Sequence, residues 1–140
     1  MNDINGKQIN WDYITCLIVD DDKFSRTFTK TALYQIGIKN TKEAATTAEA
    51  AEIIRAYKID IVLLDHQMPE ENGLDLAKQI KEGKIGANKD LPIIMVTVDT
   101  KEKTVLAAKN IGIHEYLVKP ISPLALRKRI ATAFGIKERA

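Results

Sequence analysis

One stretch near the start of the chain sets the architecture that we expect for all 140 residues: Thr15-Cys16-Leu17-Ile18-Val19-Asp20-Asp21-Asp22. Its first five residues are mostly apolar or β-branched, which is typical of a strand that is covered on both faces. Its last three residues are carboxylates that follow the strand without a spacer. The sequence therefore predicts a buried strand whose carboxyl end carries concentrated negative charge.

Comparable short apolar runs recur along the chain, and amphipathic helical patterns separate them. They span residues 60–64, 91–97 and 115–118, while residues 40–44 form a more polar run that suits the edge of a sheet. Apolar strands that alternate with helices favour a parallel sheet with right-handed crossovers. We therefore predict an α/β fold, in which a doubly wound sheet of five parallel strands forms the middle layer of a three-layer sandwich.

Capping residues and apolar positions at helical spacing delimit the helices. The first is predicted over residues 23–36, with Phe24, Phe28, Leu33 and Ile36 on its buried side and Gly37 as its C-terminal cap. Residues 83–90 are interpreted as a surface loop. Four further helices are expected, marked in turn by Thr46 with Glu49, by Leu74 with Ile80, by Val105 with Ala108, and by Ser122 with Pro123.

Composition excludes several classes of protein. Hydrophobic residues make up 45% and charged residues 29%, a balance typical of a chain that folds around its own core. The formal net charge of +2 is too small to indicate nucleic acid or an anionic membrane as the main partner. The single cysteine, Cys16, cannot form an internal disulfide or a paired zinc site. No signal peptide or membrane span is visible, so we expect a cytoplasmic location without membrane insertion.

Polar side chains follow four of the five predicted strands. Asp20, Asp21 and Asp22 come after the first strand, Asp65 after the third, and Thr97 and Lys119 after the fourth and fifth. Ligands of doubly wound sheets bind at the carboxyl ends of the strands, beside the point where strand order reverses. We therefore expect all of these residues except Asp22, which suits an N-cap, to converge at one edge of the sheet.

The expected crowding of carboxylates indicates a metal and a phosphate. Two carboxylates about 4 Å apart repel each other by about 4 kcal/mol at an effective dielectric constant near 20, and a lone lysine would not cancel this. A divalent cation bound between the carboxylates would cancel this repulsion. Mg²⁺ takes one or two protein carboxylates and keeps water and phosphate oxygens as its other ligands. An aspartate in such a place can attack a phosphoryl group and form an acyl phosphate.

The residues from Thr15 to Phe134 resemble a receiver domain of the two-component response-regulator family. That likeness implies a flavodoxin-like sheet with strand order 2-1-3-4-5, a receiver domain over residues 13–135, a polar extension over residues 1–12 and a short tail over residues 136–140. Four segments carry it in order: Leu17 to Asp22, Ile61 to Asp65 with Met68-Pro69 and Asn72-Gly73-Leu74, Pro92 to Thr97, and Tyr116 to Pro120.

The resemblance implies a role for each residue of the expected site. Asp65 would be the phosphoacceptor, with Lys119 paired to the phosphoryl group and a cis bond between Lys119 and Pro120. For Mg²⁺, the resemblance implies direct binding by Asp21 and Asp65, binding largely through water by Asp20, and a further ligand from the backbone carbonyl of Gln67.

Two further sets of residues would govern signalling. Thr97 and Tyr116 correspond to the switch pair of the family, in which the hydroxyl moves to the phosphate and the ring rotates into the vacated space. Gln67, Val98 and Asp99 occupy positions that tune the lifetime of the phosphoryl group. Val98 departs from the small residue usual there, so its branched side chain is expected to narrow access to the acyl phosphate.

The expected function is that of a single-domain response regulator that is not an enzyme beyond its own aspartyl phosphorylation and dephosphorylation. Its donor would be a sensor histidine kinase or a His-containing phosphotransfer protein. A downstream protein would read the surface of the fourth helix, fifth strand and fifth helix, with no direct contact to nucleic acid. Motor control of the chemotaxis kind and a place within a phosphorelay are both compatible with the sequence.

Two alternatives belong to other classes. A small magnesium-dependent phosphatase of the haloacid-dehalogenase kind also uses an aspartate after a strand, but that pattern leaves the spacing of Asp65, Thr97 and Lys119 unexplained. A pseudoreceiver would share the fold and serve only as an interaction surface, and the retained acids argue against it. Multiple turnover of phosphomonoesters would indicate the phosphatase.

Overall fold

The computed structural model describes residues 3–4, 7–8, 10–68, 71–86, 88–98, 102–113 and 115–136. In these residues one sheet holds the strands β1 Thr15–Val19, β2 Asn40–Ala44, β3 Ile61–Asp65, β4 Ile93–Thr97 and β5 Glu115–Val118. The helices between and after them are α1 Lys23–Gln35, α2 Thr47–Ala56, α3 Gly73–Lys81, α4 Glu102–Ile111 and α5 Pro123–Ala133. Two short antiparallel ladders lie outside the sheet and pair Asp3–Ile4 with Lys7–Gln8 and Gln67–Met68 with Glu71–Asn72.

The strand order is β2-β1-β3-β4-β5 and every neighbouring pair is parallel, which confirms the predicted order 2-1-3-4-5. All residues of β3 and β4 are buried, as expected for central strands that carry helices on both faces. The more polar β2 lies at one edge of the sheet and exposes part of its length. Strand order reverses between β1 and β3, so the carboxyl ends of these two strands meet where a ligand site is expected.

Alternate side chains of each central strand enter opposite halves of the core, because successive side chains of a strand point to opposite faces. Ile18 and Leu63 pack with Leu33 of α1 and Leu126 of α5 on one face. On the other face, the residues of β1 and β3 pack against α2, α3 and α4, through side chains that include Leu17, Leu64, Ala50, Leu76 and Ala108. Helices therefore cover both faces of the sheet, and the three-layer prediction is confirmed.

The predicted helix caps are present. The Asp22 carboxylate accepts a hydrogen bond from the Phe24 amide at 3.0 Å, Thr46 caps α2 through the Glu49 amide, and Ser122 caps α5 with Pro123 in the first turn. Gly37 adopts a φ of 103° just after α1, a conformation that glycine reaches without strain. Local sequence signals therefore placed the helix ends well.

The expectation for the buried side of α1 was wrong for two residues. Phe24 is 86% exposed and Phe28 is 56% exposed, whereas the buried stripe consists of Thr29, Ala32, Leu33 and then Ile36. At 3.6 residues per turn, Phe24 lies about 180° around the helix from Leu33, so the two cannot share a face. Hydrophobicity alone misassigned the two phenylalanines, and the helical phase of Leu33 and Ile36 was the better guide.

The stretch over residues 83–90, which we expected to form a surface loop, contributes one residue to the core among those described. Ile85 is almost fully buried in the half of the core that α2 and α3 share. Cys16 is fully buried, as expected, and burial raises the pKa of its thiol. Among the described residues, no helix combines the length and the apolar character that a bilayer crossing requires.

Alanine substitutions in α1 should separate its buried stripe from its exposed phenylalanines. We expect Leu33→Ala to lower the free energy of unfolding by about 2–5 kcal/mol, because it removes methyl groups from a closed core. Phe24→Ala should change it by roughly 0.5 kcal/mol or less. Urea unfolding followed by circular dichroism checks both, and a Phe24→Ala loss equal to that of Leu33→Ala would contradict this packing.

Candidate functional site

Polar side chains are buried at the carboxyl ends of three adjacent strands. Asp20 follows β1 and is 4% exposed, Asp65 ends β3 and is 6% exposed, and Thr97 ends β4 and is 3% exposed. Val19 pairs with Leu64 across β1 and β3, so the next residue of each strand, Asp20 and Asp65, follows at the same level of the sheet. The register of the sheet therefore positions these two carboxylates side by side.

Three carboxylates form one cluster at this edge. One oxygen from each of Asp20, Asp21 and Asp65 lies within 4.8 Å of the others. Asp21 is exposed and the other two are buried, so the cluster opens to solvent on one side. An opening of this kind leaves room for a cation that keeps some of its water ligands.

Lys119 brings the single ammonium that contacts these acids in the described part of the chain. Its Nζ lies 3.4 Å from Asp20 Oδ2 and 3.5 Å from Asp65 Oδ2. The same atom donates a hydrogen bond to Ser25 Oγ at 3.1 Å. One positive charge against three negative charges leaves an excess that a divalent cation would neutralise.

The donor set fits Mg²⁺. The cluster offers only carboxylate oxygens, which are hard ligands, and it combines buried acids with an exposed one. The backbone of Gln67 lies in the short antiparallel ladder that begins two residues after Asp65. Nothing is described for the side chain of Gln67, and Asp99 lies outside the described residues.

Arg26 fixes the backbone beside the acid cluster, and sequence reasoning missed it. Its Nη1 donates to the carbonyl oxygen of Asp20 at 2.7 Å, and its Nε donates to Glu43 Oε1 at 3.2 Å. Asp20 Oδ1 also accepts a hydrogen bond from the Asp22 amide at 2.9 Å. These bonds hold Asp20 in place while one of its carboxylate oxygens still faces Lys119. In the sequence, Arg26 resembles any other cation on an amphipathic helix.

Gly73 is required for a steric reason that only the structure reveals. A Cβ atom at this position would lie 2.8 Å from the carbonyl oxygen of Asp65, closer than real Cβ contacts allow. The start of α3 therefore packs directly against the backbone of the central aspartate. The sequence analysis included Gly73 in the motif Asn72-Gly73-Leu74, but it did not show that the carbonyl oxygen of Asp65 lies against this glycine.

Thr97 and Tyr116 lie on the neighbouring strands β4 and β5. Thr97 pairs with Val118 in the register, and its carbonyl oxygen accepts a hydrogen bond from the Lys119 amide at 2.9 Å. The Tyr116 hydroxyl donates to the carbonyl oxygens of Ile113 at 2.8 Å and Val105 at 3.3 Å. Burial, followed by the nearby Glu115 carboxylate, raises the pKa of this hydroxyl. Tyr116 is thereby attached to α4 and to the turn that follows it.

Val98 lies at the rim of the site and is 57% exposed. It lines an open, largely apolar cleft of about 340 Å³ together with Ser25, Phe28, Thr29, Lys119, Pro120 and Ile121. The bond between Lys119 and Pro120 is cis. The side chain of Val98 therefore borders the approach to Lys119.

His66 follows the central aspartate. Its amide donates to the carbonyl oxygen of Val96 at 3.1 Å, while its buried Nδ1 has no hydrogen-bond partner among the described residues.

A family model and individual relatives agree on the class of this protein. The model described as "Response regulator receiver domain" matches residues 16–131, so the chain belongs to that family. More particularly, it is a CheY-like receiver domain. It is 34% identical over 123 residues to the chemotaxis protein CheY1 of Helicobacter pylori, a match that covers 87% of this chain and 98% of the relative.

Other comparisons point the same way. The chain is 32% identical over 118 residues to CheY-3 of Vibrio cholerae, which covers 84% of this chain and 89% of the relative. The crystal structure of chemotaxis protein CheY4 of Vibrio cholerae superposes with a TM-score of 0.78 at 27% identity, over 86% of this chain and 98% of that one. A putative response regulator from Chloroflexus aurantiacus superposes with a TM-score of 0.78 at 29% identity, over 87% and 98% of the two chains.

Removing one carboxylate should change both the stability of the protein and its response to Mg²⁺. Without Mg²⁺ we expect Asp21→Asn to raise the free energy of unfolding by about 1 kcal/mol, the interaction of two charges about 4 Å apart in a water-like dielectric. Mg²⁺ at about one hundred times its Kd should stabilise the wild type by about 2.7 kcal/mol and the variant by much less. Urea unfolding with and without Mg²⁺ measures both effects.

The matched control is Glu52→Gln, which removes an exposed carboxylate from α2, outside the acid cluster. It should leave the response to Mg²⁺ at the wild-type value. Equal stabilisation of wild type and Asp21→Asn by Mg²⁺ would contradict metal binding at this cluster.

Proposed function

We propose that this chain is a phosphorylation-dependent signalling module whose Asp65 accepts a phosphoryl group with Mg²⁺ from a sensor histidine kinase or a His-containing phosphotransfer protein. One observation carries this proposal: the buried Asp65 carboxylate lies 3.5 Å from Lys119 Nζ and within the cluster that it forms with Asp20 and Asp21. A nucleophile, a fixed cation and ligands for a second cation are therefore in contact. Receiver domains of this family are signalling proteins, and each role assigned here to a residue is a proposal.

The proposed chemical step is a transfer from nitrogen to oxygen. A carboxylate oxygen of Asp65 attacks the phosphorus of a phosphohistidine, a new P–O bond forms, and the P–N bond breaks with its electron pair going to the imidazole. Lys119 neutralises charge on the phosphoryl oxygens, and the Thr97 hydroxyl donates a hydrogen bond to one of them. Mg²⁺, held by Asp21 and Asp65 and through water by Asp20, would supply further positive charge. The backbone carbonyl of Gln67 is the proposed additional ligand.

The proposed output is a shift between two conformations. A charge-assisted hydrogen bond from Thr97 to the phosphoryl group contributes roughly 1.5–3 kcal/mol, which shifts a two-state population by about ten- to a hundredfold. Movement of Thr97 would free space beside Tyr116, whose hydroxyl is bonded to the carbonyl of Val105 in α4. Movement of Tyr116 would therefore release α4, which supports a readout surface on α4, β5 and α5.

We propose that the partner that binds this surface is a protein. The described part of the surface combines exposed apolar side chains, such as Leu106 and Val118, with the cations of α5, and Arg129 of α5 contacts Glu115 at 3.6 Å. A mixed surface of this kind suits a protein more than nucleic acid or a bilayer.

Residues 13–135 form the proposed receiver, residues 1–12 the extension and residues 136–140 the tail. A cytoplasmic location completes the proposal.

Val98, Gln67 and Asp99 are proposed to set the lifetime of the phosphoryl group. The support for Val98 is its exposed position on the cleft that Lys119 also lines. A branched side chain there limits the approach of small donors and of water. We therefore expect slow transfer from small donors and slow hydrolysis.

Intact-mass spectrometry tests the proposed phosphoacceptor. With Mg²⁺ and a small acyl-phosphate donor, or a phosphorylated His-containing phosphotransfer protein, the wild type should gain the mass of one phosphoryl group. Asp65→Ala should gain none, because it lacks the nucleophile. Asp75→Ala, which removes an exposed carboxylate from the first turn of α3, should behave like the wild type.

The same experiment separates the alternatives. Phosphorylation of Asp65→Ala to the wild-type extent would contradict the proposal, as would failure of the wild type with both kinds of donor. Sustained hydrolysis of phosphomonoesters through many turnovers would indicate a phosphatase instead.

A further inference from the structure

Ser25 makes the shortest polar contact of the Lys119 ammonium in the described part of the site. It is the third residue of α1, and its hydroxyl oxygen accepts a hydrogen bond from Lys119 Nζ at 3.1 Å. The two carboxylates lie further from the same nitrogen, at 3.4 Å for Asp20 and 3.5 Å for Asp65. No role for Ser25 follows from the phosphoryl chemistry described above.

Two of these contacts are hydrogen bonds, to Ser25 and Asp20, and the third, to Asp65, is an ion pair. A lysine side chain has three N–H donors, which is enough for all three of these described contacts. Charge-assisted bonds between nitrogen and a carboxylate usually measure about 2.7–2.9 Å, so both carboxylate contacts of Lys119 are long. The nitrogen therefore lies beside the neutral hydroxyl and has not closed onto either acid.

Lys119 needs such a restraint because its side chain is long and partly open to solvent. A lysine has four rotatable carbon–carbon bonds and loses much rotamer freedom when it is fixed. The side chain of Lys119 keeps 25% of its exposure, since it borders the cleft that Ser25 also lines. Without the hydroxyl, the ammonium can move towards an acid or out into the cleft.

The start of α1 fixes the position of Ser25. The Asp22 carboxylate caps the helix through the Phe24 amide, and the Arg26 amide donates to the Asp22 carbonyl at 2.9 Å. Ser25 lies between these two bonded residues, so its hydroxyl projects from a first turn that is capped and hydrogen-bonded. Arg26 bonds to the Asp20 carbonyl from the same turn. One turn of helix thus positions both the lysine and an acid.

We propose that Ser25 is a positioning residue that holds the Lys119 ammonium between Asp20 and Asp65, ready to meet the phosphoryl group. This inference rests on the proposed function, since it concerns the rate of phosphoryl transfer to Asp65. Ser25 acts through Lys119 and does not contact the reacting atoms. Loss of the hydroxyl should slow the transfer step without changing which residue is modified.

A double-mutant cycle tests this role. With a phosphorylated His-containing phosphotransfer protein as donor, Ser25→Ala should lower the transfer rate at saturating donor about two- to tenfold. In a Lys119→Ala background, the same substitution should have no further effect, because the residue it positions is gone. Ser25→Thr keeps a hydroxyl and should restore most of the rate. Thr27→Ala, an exposed site on the same helix, should match the wild type.

A merely structural role gives a different result, since it would slow transfer equally in both backgrounds. An equal slowing by Ser25→Ala in the presence and absence of Lys119 would therefore overturn the inference. A wild-type rate for Ser25→Ala alone would do the same.

A second measurement does not depend on phosphorylation. Carbon-13 relaxation of the Lys119 ε-methylene should report greater mobility in Ser25→Ala than in the wild type, with the wild-type value retained in Thr27→Ala. Unchanged mobility in Ser25→Ala overturns the positioning role. Greater mobility in a protein that takes no phosphoryl group would support the contact and refute the proposed function instead.

Discussion

Repulsion among three carboxylates governs the site. One oxygen from each of Asp20, Asp21 and Asp65 lies within 4.8 Å of the others, and the Lys119 ammonium offsets only part of their charge. The carboxylates stay close together because the strands that carry them, β1 and β3, are adjacent in the interior of the sheet and hydrogen-bonded in one register. Arg26 and Gly73 secure the backbone around two of the acids. The fold therefore stores a local electrostatic cost that a bound divalent cation would relieve.

The sequence predicted the sheet and the convergence of the site for one physical reason. Strands covered on both faces must be apolar, so the polar residues that end them stand out, and parallel topology brings those ends to one edge. Asp20, Asp65 and Thr97 stand out in the sequence for this reason. Capping residues such as Asp22 and Ser122 were equally local signals. The chemical role of each of these site residues, and of Gln67 and Asp99, stays a prediction.

Other features depend on contacts between distant segments, and the sequence could not show them. Ser25 and Lys119 are in contact although they lie 94 positions apart in the sequence. Gly73 is needed because α3 starts against the backbone of Asp65. Hydrophobicity even pointed the wrong way for Phe24, which faces solvent. The type of a residue indicates whether burial or exposure is favourable for its side chain. The contacts that the side chain makes depend on the neighbours that the fold brings to it.

A crystal structure determined with Mg²⁺ and beryllofluoride, a mimic of a phosphoryl group, tests whether Asp65 accepts the phosphoryl group beside a bound metal ion. We expect beryllofluoride attached to a carboxylate oxygen of Asp65, with fluorine atoms in contact with Lys119 and Thr97. We also expect one Mg²⁺ bound by Asp21 and Asp65. Beryllofluoride on another residue, or a metal ion bound away from these acids, would show that Asp65 and its neighbours do not form the phosphorylation site.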